Sequence, residues 1–512
     1  MGLTESKQLR IGAILSYSQM LLGIIVGLAY TPAMIRLLGQ SEYGLYNTVS
    51  SVISMLSILS LGFNSSYVRY FAKYKKADDR GSIYKLNGLF LIIFLVIGAV
   101  ALACGLFLTE NLNLVFKDGL TSDEYGTARI LMLLLTINLA VSFPMSVFSN
   151  IIGAHEKFIF LKALGALKTV VSPLVTLPLL LMGYKSIAMV SVTVAIAVFT
   201  DILYVIYVFA VLKQKFIFHS FEKGLFKSLF IFTSFIAINL IVDQINLNVD
   251  KILLTRFKGT VVVAIYAVGY NLESYYQMFS TAISGIFTPR IHLIYATETN
   301  EIERNNRLTE LFIKVGRIQF CILALIASGL VFFGKPFIRF WAGNGYDESY
   351  YVALLLVLPI TIPLIQNVGI EIQRAANKHQ FRSLVYLAMA ILNLILTVFL
   401  CQKYGAVGAA VGTAISLILA NGLIMNIYYQ TKLGINVIKF WKNIGRMSLG
   451  LIVPIVVGSL LMVYVKITSI WLLFAVIVGY TVIYCISMWF LGLNEYEKNL
   501  FKTPIRKIFK RV

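Results

Sequence analysis

The sequence predicts an all-α polytopic membrane protein of about fourteen transmembrane helices, built as two six-helix lobes followed by a C-terminal helix pair. Three observations lead there. Of 512 residues, 59% are hydrophobic and 13% charged, and the mean hydropathy is +0.83, whereas soluble domains carry about 45–50% apolar residues. Apolar runs of about 20 residues recur from end to end, the length that crosses a hydrocarbon core roughly 30 Å thick. Finally, Arg36, Gly39 and Tyr46 recur 220 residues on as Arg256, Gly259 and Tyr266, and Tyr184 and Thr193 as Tyr404 and Thr413. Both echoes fall at equivalent places in the hydropathy pattern. A membrane protein of two like halves usually holds its site between them.

The spans are expected near 11–35, 43–67, 86–109, 128–153, 163–183, 187–211, 229–255, 261–288, 312–334, 351–372, 384–401, 407–429, 447–466 and 470–491. Each must be helical, because its backbone polar groups have to be satisfied inside the segment. The boundary between the seventh and eighth is the least marked. The basic start, Lys7 and Arg10, leads into an apolar run too long for the h-region of a cleaved signal, so the first span reads as its own insertion signal. Six spans per repeat is an even number, so both halves enter from the same side, as a parallel repeat about an axis along the membrane normal. The expected organisation is an N-lobe over 1–228, a C-lobe over 229–430, and a helix pair with a basic cytoplasmic tail over 431–512.

Orientation follows from Lys and Arg asymmetry. With the N-terminus cytoplasmic, 32 of the 44 basic residues fall in inner segments and 11 in outer loops and span ends, leaving Lys168 inside span five. This places both termini inside, in the cytoplasmic membrane. The formal charge of +21 is then mostly an inner-surface property that attracts anionic lipid head groups. Spread over eight segments, it does not suit nucleic acid.

The outer loops are short, which argues against a membrane polymerase or glycosyltransferase that needs an outer catalytic domain. There is no GxxxxGK[ST], HExxH or GxSxG, and no enzyme activity, metal or cofactor is expected. Cys104, Cys321, Cys401 and Cys485 stand singly and read as buried small apolar residues. His155, His219, His292 and His379 fall at inner span ends or loops, where a solvated histidine is the default.

Three segments carry a family resemblance. Arg36-Leu-Leu-Gly-Gln-Ser-Glu-Tyr-Gly-Leu-Tyr46 is similar to the turn after span one of Wzx-type polysaccharide-unit flippases. Asp250-Lys-Ile-Leu-Leu-Thr-Arg256, with Gly259 and Tyr266, resembles their span seven to eight junction. Lys403-Tyr-Gly-Ala-Val-Gly-Ala-Ala-Val-Gly-Thr413 resembles their entry to span twelve. That family sits in a superfamily with the lipid II flippases and the MATE drug exporters. The resemblance implies a V-shaped pair of lobes around a central cavity, working by alternating access. The second copy departs from the first: Gly259-Thr-Val-Val-Val-Ala264 stands where the first reads Gly39-Gln-Ser-Glu-Tyr-Gly44. Its missing second glycine leaves the two turns free to differ.

Polar residues at membrane depth supply the candidate site. Asn239, Asp243, Asn246 and Asp250 follow at steps of four, three and four, so they share one face of span seven. A carboxylate facing lipid costs several kcal/mol, so this stripe should face the bundle interior or water. Glu273, Gln277, Ser280 and Ser284 repeat the spacing in span eight. The stripes read either as the wall of a hydrated cavity or as helix–helix hydrogen-bond seams. Asp243 and Glu273 are the candidates for a coupling ion, H⁺ or Na⁺. Asp201 and Lys168 could pair as a structural ion bridge. Arg36 and Arg256 mark the outer ends of spans one and seven, and Arg69 and Arg290 the inner ends of spans two and eight. With Lys251 they are the candidates for a substrate diphosphate, which guanidinium grips bidentately. Span-end arginines also snorkel to lipid phosphates without binding substrate. Gly408 and Gly412 read as a packing GxxxG.

The function expected is translocation of undecaprenyl-diphosphate-linked oligosaccharide for surface polysaccharide synthesis. The partners are that lipid, membrane lipids, and the glycosyltransferases and polymerase that make and use it. A MATE-like cation or drug antiporter and a lipid II flippase are the alternatives.

Overall fold

The computed structural model describes residues 5–221, 224–378, 380–500 and 502, and His379 lies outside them, as does most of the expected basic tail. The described residues form helices and their connections: α1 Glu5–Met55, α2 Phe63–Lys76, α3 Arg80–Glu110, α4 Leu112–Phe116, α5 Ser122–Ala154, α6 Phe158–Leu181, α7 Ser186–Ile206, α8 Leu225–Lys258, α9 Thr260–Thr297, α10 Glu301–Trp341, α11 Glu348–Ile365, α12 Asn367–Ala375, α13 Gln380–Leu417, α14 Met425–Lys432, α15 Val437–Ser448, α16 Ile452–Tyr464 and α17 Ile470–Ser487.

Among the described residues, ten helical stretches are long and apolar enough to cross a membrane, or eleven if the bent pair Leu225–Ile231 and Ile236–Lys258, meeting at 44°, is one span. Two of the ten exceed a single crossing several-fold in length. Leu15–Lys76 has 62 residues and Gln380–Lys432 has 53, against about 20 needed. Each is broken at a glycine whose backbone leaves the helix, Gly39 in α1 and Gly405 in α13.

The glycines of the 220-residue echo now have a physical reason. Gly39 sits at φ 78°, ψ 171°, and Gly259, between α8 and α9, at φ 83°, ψ 178°. This region is open almost exclusively to glycine. The missing second glycine therefore does not change the turn: both copies adopt one conformation. Gly44 has a different task. A Cβ there would lie 1.9 Å from the Thr260 carbonyl oxygen and 3.3 Å from the Ala264 nitrogen. Gly44 and Ala264 are themselves 220 residues apart, so equivalent positions of the two copies pack against each other.

The chain groups into two compact units: Met1–Ala267 with Leu394–Ala409, and Val268–Asn393 with Ala410–Val512. The first unit thus includes α8, which the repeat assigns to the second half. Among the described residues, two clusters form much of its core. Phe63, Tyr67, Phe90, Phe94 and Phe148 pack α2, α3 and α5, and Tyr67 donates to Asn87 Oδ1 at 2.7 Å. Leu45, Val49, Phe116, Leu131 and Met132 pack α1, α4 and α5. Apolar side chains such as Leu174 and Phe199 point outward, as a lipid-facing surface requires. Gly408 closes against Leu400 and Cys401, which is helix packing.

The second unit is cored by Leu311, Phe312, Ile372, Tyr429 and Phe440. It also buries an ion pair. Arg317 donates from Nε and Nη2 to the two oxygens of Glu497 at 2.6 and 2.8 Å, and to the carbonyls of Asn443 and Gly492 at 2.9 Å. Every nitrogen of the guanidinium and both carboxylate oxygens are engaged, which a buried pair needs to offset desolvation. Of the cysteines, Cys401 is buried, Cys104 and Cys321 are half-buried, and Cys485 is exposed. Not all four are core residues, because a lipid-facing helix surface accepts a thiol as readily as a core does.

Candidate functional site

In the first unit, connectivity brings four turns to one end: Gly39, the segment 117–121, the segment 182–185, and Gly259. A network of polar side chains joins them. Thr121 and Glu124 form a capping box at the start of α5, and Glu124 Oε2 accepts from the Thr121 amide at 2.9 Å. That fixes the carboxylate. Its other oxygen accepts from Ser41 Oγ and from Thr260 Oγ1, each at 2.5 Å. Ser41 follows the first glycine turn and Thr260 follows the second, so one buried carboxylate ties the two copies of the repeat together. Below it, Thr48 and Thr255 share a hydrogen bond of 2.6 Å with both side chains fully buried. Beside it, Glu42 accepts from the amide and hydroxyl of Ser186 at 3.0 and 2.6 Å and pairs with Lys185 at 3.3 Å. It caps α7 with negative charge at a helix N-terminus.

Arg36 and Arg256 each stand three residues before the glycine of their copy, at this same end. Arg36 is exposed; Arg256 is half-buried and donates to the Leu114 carbonyl at 3.4 Å. Arg69 is exposed on α2. Arg290, exposed on α9, falls in the second unit.

The α8 stripe is graded. Asn239 and Asp243 are exposed, Asn246 is half-buried, and Asp250 is buried. Asp250 accepts from the Tyr266 hydroxyl at 2.7 Å and from Thr397 Oγ1 at 3.1 Å. It therefore holds α8, α9 and α13 together, a binding mode that spacing alone does not separate from a cavity wall. Asp250 occupies the position of Tyr30 one repeat on. Lys251 is half-buried beside it.

The α9 stripe divides the same way within the second unit. Ser280 donates to the Leu364 carbonyl at 2.9 Å and accepts from Gln319 and Asn367 at 2.9 and 3.1 Å. Here the stripe is a helix–helix seam. Gln277 is exposed. Glu273 is only 6% exposed, yet no hydrogen bond or ion pair to a described residue is recorded for it. Lys168 and Asp201, both half-buried, do not meet in an ion pair. Among the described residues no cluster of three metal-ligating side chains occurs.

Glu124, Ser41, Thr48, Thr255 and Thr260 escaped the reading of the sequence. The Thr121–Glu124 capping-box spacing was the visible signal, but it announces a helix start and not the partners 83 and 136 residues away.

Comparison with known proteins agrees with this architecture. The "Polysaccharide biosynthesis protein" family matches residues 10–292. The "Putative O-antigen transporter" of Shigella flexneri is 22% identical over 405 residues, covering 77% of this chain and 91% of that protein. The "Uncharacterized membrane protein EpsK" of Bacillus subtilis (strain 168) is 22% identical over 499 residues, covering 95% and 96%. Among solved structures, the lipid II flippase MurJ in an inward closed conformation superposes with a TM-score of 0.68 at 16% identity, over 97% of this chain and 99% of that one. An inward-facing MATE multidrug resistance transporter of the MOP superfamily gives 0.67 at 11% identity, over 84% and 99%. These two likenesses speak for the fold alone. With more than half its length matched, the chain belongs to the polysaccharide biosynthesis protein family, multi-pass membrane transporters and not enzymes, in a MurJ- and MATE-like fold.

Proposed function

We propose that this transporter is a flippase that carries undecaprenyl-diphosphate-linked oligosaccharide across the cytoplasmic membrane by alternating access. The observation that carries the reading is the Glu124 seam. It closes one end of the first unit by joining the two copies of a repeat, which is what a gate between like halves requires. The family match and the likeness to a protein named for O-antigen transport support the substrate class. In this reading the chain crosses fourteen times: the two glycine breaks, the bent pair in α8 and the helix α9 supply the crossings beyond ten. The lobes are 1–228 and 229–430, followed by the pair in 431–512, with both termini cytoplasmic and the Glu124 seam outside.

Arg36 and Arg256 would then meet the diphosphate at the outer mouth, and Arg69, Arg290 and Lys251 along its route. Asp243, and Glu273 with its buried carboxyl, are the sites for H⁺ or Na⁺, with Asn239, Asn246, Asp250 and Gln277 in the polar lining. An inside-negative potential helps an anion outward by about 2.3 kcal/mol per charge per 100 mV, so the transport is electrogenic unless cations accompany the lipid.

The test is flipping of a fluorescent lipid-diphosphate oligosaccharide by the pure protein in proteoliposomes, with and without an imposed potential. Acceleration by an inside-negative potential is expected. Absence of flipping combined with proton-driven export of organic cations would replace this reading with the MATE-like antiporter. Complementation of a lipid II flippase deletion would replace it with that activity.

A further inference from the structure

At the opposite end of the first unit, the turns after α2, α5 and α7 enclose a cavity of about 440 Å³ that the transport reading does not use. Its floor is apolar: Phe71 is buried, and its ring lies 4.8 Å from that of His155. Lys75, Arg80 and Lys213 line its rim, each from a different element, against one lining acid, Asp78. Arg80 and Lys213 are exposed and make no ion pair with a described residue. Lys75 reaches Glu156 only at 3.8 Å with both groups part-exposed, a contact of little strength.

Two of the lining residues, Gln214 and His155, carry an acceptor. Gln214 Oε1 is buried and finds no hydrogen-bond partner among the described residues, although the amide of the same side chain donates to the Leu212 carbonyl at 3.0 Å. His155 Nδ1 lies 2.8 Å from the Ile151 carbonyl, and a carbonyl only accepts. Nδ1 therefore carries the proton, and Nε2 of the neutral ring is an acceptor. Burial holds the ring below the ordinary histidine pKa, with Lys75 and Lys157 adding to the effect against the pull of that hydrogen bond.

A cationic rim asks for an anion, and the two acceptors of its lining residues ask for donors. We propose that this cavity binds a phosphate ester bearing free hydroxyls, its phosphate on Arg80, Lys213 and Lys75 and its hydroxyls on Gln214 and His155. Two sources share that chemistry: the head group of a hydroxylated anionic phospholipid at the membrane surface, and a soluble polyol phosphate. The site is independent of the transport reading, since binding needs no translocation.

The full-length protein in neutral detergent would be titrated with dihexanoyl-phosphatidylglycerol, with dihexanoyl-phosphatidylmethanol (the same charge without hydroxyls) and with glycerol 1-phosphate, following thermal stability. Saturable stabilisation by phosphatidylglycerol is expected, its half-saturation weakened about tenfold or more by Arg80→Gln with Lys213→Gln. Lys439→Gln with Lys442→Gln, which removes equal charge elsewhere, should leave it unchanged. Gln214→Leu should erase the preference over phosphatidylmethanol. The same pattern with glycerol 1-phosphate alone identifies a soluble ligand in the same site. Stabilisation that ignores Arg80 and Lys213, or equal binding of the two lipids by the unmodified protein, overturns the proposal, as does absence of saturable binding.

Discussion

Removing the Glu124 carboxylate should loosen the seam that it joins. In Glu124→Ala, Thr260 loses its hydrogen bond to a charged acceptor, a contact worth about 2 kcal/mol net. The Thr260 hydroxyl, on a buried residue, is also left without its acceptor, at about 1–2 kcal/mol more, while Ser41 is exposed and can turn to water. The loss of about 3–4 kcal/mol raises the open population of the seam roughly 10²- to 10³-fold. Thr255 is fully buried there, so Thr255→Cys reports the opening. In a chain whose Cys104, Cys321, Cys401 and Cys485 are replaced by serine, a membrane-impermeant maleimide should label Cys at 255 far faster once Glu124 is alanine. Thr260→Val, which takes away one donor, should raise the rate about tenfold. If the labelling rate changes less than about twofold in a well-expressed Glu124→Ala protein, Glu124 does not hold the seam, whatever the substrate.

Two further outcomes follow from the local geometry. Gly39→Ala and Gly259→Ala should destabilise by similar amounts, about 1–3 kcal/mol each, read as melting temperature in detergent; a tolerated alanine at either position would deny the shared turn. Asp250→Asn keeps one carbonyl acceptor for one of the two hydroxyls and offers the other an amide N–H, from which a hydroxyl oxygen can accept, and should preserve the fold better than Asp250→Leu, which orphans both hydroxyls at about 1–3 kcal/mol each; equal melting of the two variants would remove Asp250 as the tie between α8, α9 and α13.

The spans were legible because lipid imposes one solution on apolar runs of this length. Gly39 and Gly259 were legible as an echo, since no side chain tolerates their backbone. The stripes were legible only as faces. Spacing puts Asp243 and Asp250 on one side of α8, but Tyr266 and Thr397 bury one of them, and Thr397 arrives from 147 residues away. Ser280 and Glu273 share a face of α9 and still diverge, because Gln319 and Asn367 reach Ser280 and, among the described residues, no such partner reaches Glu273. Glu124 was hidden for the same reason. Its importance lies in partners supplied by chain closure, and nothing near it in sequence announces them.

The buried pair of Arg317 and Glu497 also sets an order of events during synthesis. The two residues are 180 apart, so at about 5–20 residues per second α10 waits roughly ten to forty seconds with a guanidinium that has no carboxylate. Until the segment after α17 emerges, that charge marks the nascent protein as unfinished for any quality-control factor that senses polar groups in the bilayer. Chains truncated before Glu497 should therefore be degraded rapidly, and Arg317→Met should lengthen their lifetime in a pulse-chase measurement. An unchanged lifetime would show that the pair is a staple of the finished protein and not a checkpoint in its assembly.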